Sequence, residues 1–123
     1  MEKKRVSDLT LSSKVYKLDL IEGIAYIETF NVKSIITEQF GGRITVKGHN
    51  PKNNNITFIS FDSLDSETSI YGDTVAYYFV YEDSWKIAEL LTGNILAKID
   101  QEIINLRDKR NKHVNVKSLS LKK

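Results

Sequence analysis

The hydrophobic period of this chain changes at Tyr81. Before it, apolar residues mostly alternate with polar ones; after it, they recur every three or four residues. A strand sends successive side chains to opposite faces, whereas a helix returns to the same face every three to four residues. The N-terminal two-thirds can therefore bury its apolar residues as a sheet, and the C-terminal third as a helix. The pattern predicts an α+β fold: an antiparallel sheet of five to six strands with a C-terminal long or bent helix packed on one face. At 123 residues, with no internal repeat and no composition break, the chain reads as one domain.

Tyr16, Leu18 and Leu20 alternate with Lys17 and Asp19, and Glu22-Gly23 supplies a tight turn into a returning strand, Ile24 to Phe30. Val32 to Thr37 continues extended until Gly41-Gly42 interrupts it. Arg43 to Lys47 alternates, pointing Ile44 and Val46 to the core, and Gly48 to Asn55 is a loop holding the only proline, Pro51. Ile56 to Phe61 is another strand and Asp62 to Asp73 a polar loop. Thr74 to Tyr81 is apolar at nearly every position, which places it in the middle of the sheet with both faces covered. Alternation sends Tyr77, Phe79 and Tyr81 to one face and Tyr78 to the other. Tyr26, Ile27, Phe58 and Ile59 put large residues on both faces of their strands. One helix cannot cover them all, so a homodimer or higher homo-oligomer is the simplest cover.

The helix is expected to start at Asp83-Ser84, where either side chain can cap the first turn. Ala88, Leu91, Ile95, Ile99, Ile103 and Leu106 form one stripe, the face expected on the sheet. Thr92-Gly93-Asn94 leaves open one helix or two meeting at a bend. Beyond Leu106, Arg110 falls about 20° from Ile99 on the helical wheel and Arg107 about 80°, so arginine continues the apolar stripe. Such a group either meets an anion, whose oxygens its fork matches, or snorkels at the helix end. Val114 and Val116 alternate, as do Leu119 and Leu121 in the opposite phase, which fits a short strand with a slip or a tail that orders on a partner.

Charge is distributed unevenly. From Arg107 to Lys123 there are seven Lys/Arg against one acid, while the rest of the chain holds eleven against fifteen. A body of about −4 thus carries a tail of about +6, which directs attention to a negative partner. A long nucleic acid fits this less well, because the acidic body repels its phosphate backbone. The absence of cysteine removes disulfides and thiolate chemistry. No run approaches the ~20 apolar residues of a membrane span, and the charged N-terminus lacks the apolar stretch of a signal peptide, so a cytoplasmic protein is expected. The abundance of Ile, Lys and Asn matches A/T-rich codons and points to a bacterial, phage or mobile-element genome.

Catalytic equipment is sparse. His49 and His113 are the only histidines and form no zinc-binding pair, and no glycine-rich phosphate loop occurs. Asp62, Asp65, Glu67 and Asp73 miss the spacing of a calcium loop, and Asn55-Ile56-Thr57 is a glycosylation acceptor only in a secreted chain. No catalytic residue, metal ligand or cofactor is assigned. The expected site is instead a ligand-binding one: Arg107, Arg110 and Asn111 at the helix end, with Tyr81 and Phe79 supplying rings that could stack on a base. The function expected from it is non-enzymatic binding of an anionic, nucleotide-type small molecule, in a phage or mobile element the sequestration of a host signalling nucleotide for counter-defence. The alternative is a protein–protein interaction module, a host-enzyme inhibitor or assembly factor, docking through its basic tail on an acidic partner.

Overall fold

Tight turns set the order of the sheet. In the computed structural model, which describes residues 4–38 and 41–114, the strands are β1 (Lys14–Ile21), β2 (Ile24–Thr37), β3 (Ile44–His49), β4 (Ile56–Phe61), β5 (Thr68–Tyr71) and β6 (Val75–Tyr78). All neighbours are antiparallel, in the order β4-β3-β2-β1-β6-β5. The helix α1 (Ser84–Val114) follows, so the fold is α+β as the period change requires. Between β1 and β2, Glu22 and Gly23 both take positive φ, the two-residue turn whose twist matches that of the strands it joins.

The sheet curls around its own core. Its inner face carries Val15, Phe30, Val32, Ile44, Val46, Ile59, Phe61, Tyr77 and Phe79, all buried. A register shift between Val32 and Ser34 inserts one extra residue into β2. This resets the alternation so that Ile35 again points inward, opposite Val46. Val6 and Leu9, on and just after a 3₁₀ turn at Val6–Asp8, plug this core and are buried. Two backbone hydrogen bonds fasten the plug to the loop after β4: Val6 N–H to the Ser66 carbonyl and Ser7 N–H to the Leu64 carbonyl, both 2.9 Å.

The segment expected as polar loop up to Asp73 contains a strand, β5. Its polar residues have a local reason. Curling brings β5 beside β4, and side chains span the seam: Ser69 Oγ donates to the Ser60 carbonyl at 2.7 Å, and the Ser60 N–H donates to Tyr71 Oη at 2.7 Å. With β5 outside it, β6 is an interior strand, and its Ala76, Tyr77 and Tyr78 are buried as the apolar run requires.

The helix packs on the outer face. Leu18 and Leu20 of β1 and Ala76 and Tyr78 of β6 meet Ile87 and Leu91, with Ala88 and Ile95 partly buried beside them. Gly93 does not end the helix, which runs as one element through it, and no atom outside its own backbone lies within 4 Å of where a Cβ would stand. The expected docking stripe is corrected at its C-terminal half. Ile99, Ile103 and Leu106 are 44%, 46% and 64% exposed, and every residue from Leu96 to Lys112 is exposed. Length explains this. Thirty-one helical residues extend about 46 Å, whereas the eight of β1 extend about 27 Å, so the helix outruns the sheet. No helix among the described residues is long and apolar enough to cross a membrane.

Candidate interaction surface

The base of the helix is held by tyrosines. The strand alternation stops at Tyr78, and a 3₁₀ turn at Tyr81–Asp83 leads into α1. This turn carries Tyr81 away from the face of Tyr77 and Phe79, where alternation had placed it, and seats it edge-on against Tyr16 at 5.5 Å between ring centroids. Tyr78 lies 5.8 Å from Tyr16 on the same side. Ser84 Oγ donates to the Tyr81 carbonyl at 2.6 Å, so in its contact with Tyr78 the phenol is the donor. Burial pushes the Tyr78 hydroxyl above the ordinary phenol range. Ser84 thus ties the first turn back to the sheet.

The expected ligand residues are placed far apart. Phe79 is buried inside the curl, 5.2 Å from Phe61 between centroids, and is a core ring. Tyr81 stands half-exposed at the start of the helix, while Arg107, Arg110 and Asn111 are exposed near its other end. At 1.5 Å per residue, about 35 Å of helix separates Ser84 from Arg107. Within one copy of the chain, ring and guanidinium do not share a cleft. Val116, Leu119 and Leu121 lie outside the described residues, as does the rest of the tail.

Other polar groups serve the loops. Glu28 accepts hydrogen bonds from the side-chain amides of Asn50 (2.7 Å), Asn53 (3.2 Å) and Asn55 (3.2 Å), which pins the loop after β3 to β2. Partial burial pushes its carboxyl up, but these amides and the Lys17 ammonium together outweigh that and hold it below its ordinary value. His49 Nε2 meets Asn54 Oδ1 at 3.3 Å in the same loop. In the expected acidic loop, Asp65 lies 3.8 Å from Arg5, and Asp73 pairs with Lys98. Among the described residues no group of three or more His, Asp or Glu could hold a metal ion.

What remains is the helix beyond that last pair. From Ile99 to Val114 it extends about 24 Å at the helical rise. Leu96 just before it, with Ile99, Ile103 and Leu106 along it, forms an exposed apolar strip, and a cluster of cations follows. Leu96 did not stand out from the sequence. Its signal is the 3-4-3 spacing of Leu96, Ile99, Ile103 and Leu106, legible once the docking face is known to end at Ile95. No protein-family model matches the chain, and no curated protein or solved structure matches it either.

Proposed function

We propose that the protein is a non-enzymatic interaction module that binds protein partners through the free C-terminal half of its helix. The observation that carries this reading is the exposed strip Leu96, Ile99, Ile103 and Leu106 on a helix segment that leaves its own sheet. Apolar side chains aligned at helical spacing gain by being removed from water, at about 25 cal/mol per Å², and a helix face is the usual shape of such a docking element. The basic residues beyond the strip, Arg107, Lys109, Arg110 and Lys112, would steer it toward a negative surface. The anion-binding alternative needs a ring beside an arginine, and the distance between Tyr81 and Arg107 weighs against it.

Two measurements test this. A photoreactive residue at Ile103 of the full-length protein, activated in its host cells, should give protein adducts of defined mass that Leu106→Asp removes without lowering the melting temperature of the body. Titration of the wild type with ATP or a cyclic dinucleotide should give no heat. Saturable heat that Arg107→Ala and Arg110→Ala abolish would reinstate the small-anion reading, and the absence of any Leu106-dependent adduct would sink the interaction module.

A further inference from the structure

We infer that the partner on this strip is a second copy of the chain, and that the two helices pair as a short, parallel, two-stranded coiled coil. The inference rests on the interaction reading above and names its occupant. Leu96, Ile99, Ile103 and Leu106 follow one another at 3-4-3 spacing, which assigns them to positions a, d, a and d of a heptad. On the helical wheel this seam is centred roughly 100° away from the centre of Ile87, Leu91 and Ile95, which dock on the sheet. Ile99 and Ile103 continue the i, i+4 line of the docking face beyond the end of the sheet, and Leu96 and Leu106 complete the heptad seam there. The seam residues are about half-exposed in one copy, so nothing in the chain's own described fold fills the place of the partner.

Flanking charges choose the orientation. Glu102 falls at g and Arg107 at the e position of the next heptad, the two positions that meet across a parallel pair. Two-fold symmetry makes the Glu102–Arg107 contact twice. In an antiparallel pair that keeps the four apolar layers together, Glu102 instead faces its own copy, and so does Asp100, setting like charges side by side at the centre. Neither Glu102 nor Arg107 is in an ion pair within the chain among the described residues, where the pairs are Arg5–Asp65 and Lys98–Asp73.

Strand number follows from the second heptad and from the sheet. Ile103 at a with Leu106 at d is the arrangement that favours two strands. Leu96 and Ile99 hold the reverse order, but there each helix already has its own sheet on one flank, as far as the Lys98–Asp73 pair. That leaves room for one neighbour. Arg110 occupies the next a position and sets two cations against each other, so the apolar seam stops at Leu106. The pairing would bring both basic ends to one pole of the dimer.

Sedimentation equilibrium of the full-length protein tests the proposal. The mass should rise from that of one 14.1 kDa chain to that of two across the micromolar range. Ile103→Asp should hold it at one, with the melting of the body unchanged. Glu102→Arg and Arg107→Glu should each weaken dimerisation at least ~10-fold, while the double exchange restores it to within ~3-fold, the signature of a coupled pair. Since the chain has no cysteine, Arg110→Cys provides one thiol per chain. Oxidation should link two copies covalently, because equivalent residues of a parallel pair meet. In the antiparallel arrangement they stand about 27 Å apart, far beyond the ~7 Å limit for Cα atoms joined by a disulfide. A mass of one chain at every concentration, a mass of three or four, a dimer indifferent to Ile103, or a double exchange that fails to restore pairing would each overturn the inference. A monomer that still gives Leu106-dependent adducts at Ile103 would overturn self-pairing alone, leaving the interaction module with a different partner.

Discussion

Leu90 and Leu91 are adjacent, chemically identical and on the same helix, yet Leu91 is 0% exposed and Leu90 47%. Replacing each by alanine deletes the same atoms and makes the same change in helix propensity, so the difference between the two variants isolates packing against the sheet. Burial of the lost carbons is worth about 0.8 kcal/mol each, about 2.4 kcal/mol in all. At Leu91 the void left beside Leu18, Ala76 and Tyr78 adds to this, giving about 3 kcal/mol, within the usual range for a buried leucine. At Leu90 half the area is already in water and alanine is slightly the better helix former, so the net cost is about 1 kcal/mol. A difference of about 2 kcal/mol corresponds to roughly 6–10 °C in melting temperature for a domain of this size. Urea unfolding followed by far-ultraviolet circular dichroism, at equal protein concentration, measures it. Both sites lie outside the proposed dimer seam, so assembly does not enter the comparison. Equal midpoints for the two variants would show that α1 does not dock through the Ile87–Leu91 face.

Three further outcomes are expected. Gly48→Ala places a Cβ 2.9 Å from Phe30 Cβ and should destabilise the fold by about 1–3 kcal/mol, less the ~0.5–1 kcal/mol gained by removing glycine from a strand, whereas Gly93→Ala meets nothing and should stabilise by about 1 kcal/mol; thermal melts of the pair decide. The Glu28 carboxyl titrates lower when folded than when unfolded, so its contribution is present above the ordinary carboxylate range and is lost as pH falls through the folded value. Glu28→Gln should therefore flatten the acid limb of the stability–pH curve, and an unchanged limb would refute the clamp. The Tyr78 phenol titrates higher when folded, so stability is lost as pH rises past the ordinary phenol range; Tyr78→Phe should cost about 1 kcal/mol at neutral pH and remove part of that alkaline loss in denaturant titrations.

Alternation made the inner face of the sheet readable. Ile44, Val46, Ile59 and Tyr77 point where their period places them, because a strand with one wet face leaves the apolar residues no other choice. Two strand-level features escaped this rule. The bulge after Val32 changes the phase within β2, which no local composition announces, and β5 hides among serines and threonines whose partners lie across the seam in β4. The helix was legible in existence and start, but its docking face was not legible in extent. A periodic stripe reports that a face is apolar, and only the length of the sheet beneath decides how much of it is covered. The expected site residues separated too: Phe79 is taken up by the core inside the curl, while rigid helix geometry holds Tyr81 and Arg107 at opposite ends.

The two halves of α1 therefore stand in different physical situations. The first is stabilised by the sheet, through Ile87, Leu91 and the ties from Ser84 to Lys98. Among the described residues the second has only hydrogen bonds within the helix itself, and an isolated helix of that length is marginal in water. Continuity with the anchored half removes the cost of nucleation, so the extension need only propagate, and an unbroken path through Gly93 is what makes this possible. A partner helix on the seam would add the tertiary packing that the sheet cannot reach to provide. The chain thus divides its apolar residues between a stretch of helix that folds the protomer and a seam further along it, centred roughly 100° round the helix, that is free to join it to another. Substitutions at Leu91 should act on stability and those at Ile103 on association, and the separation of these effects follows from the mismatch in length between helix and sheet.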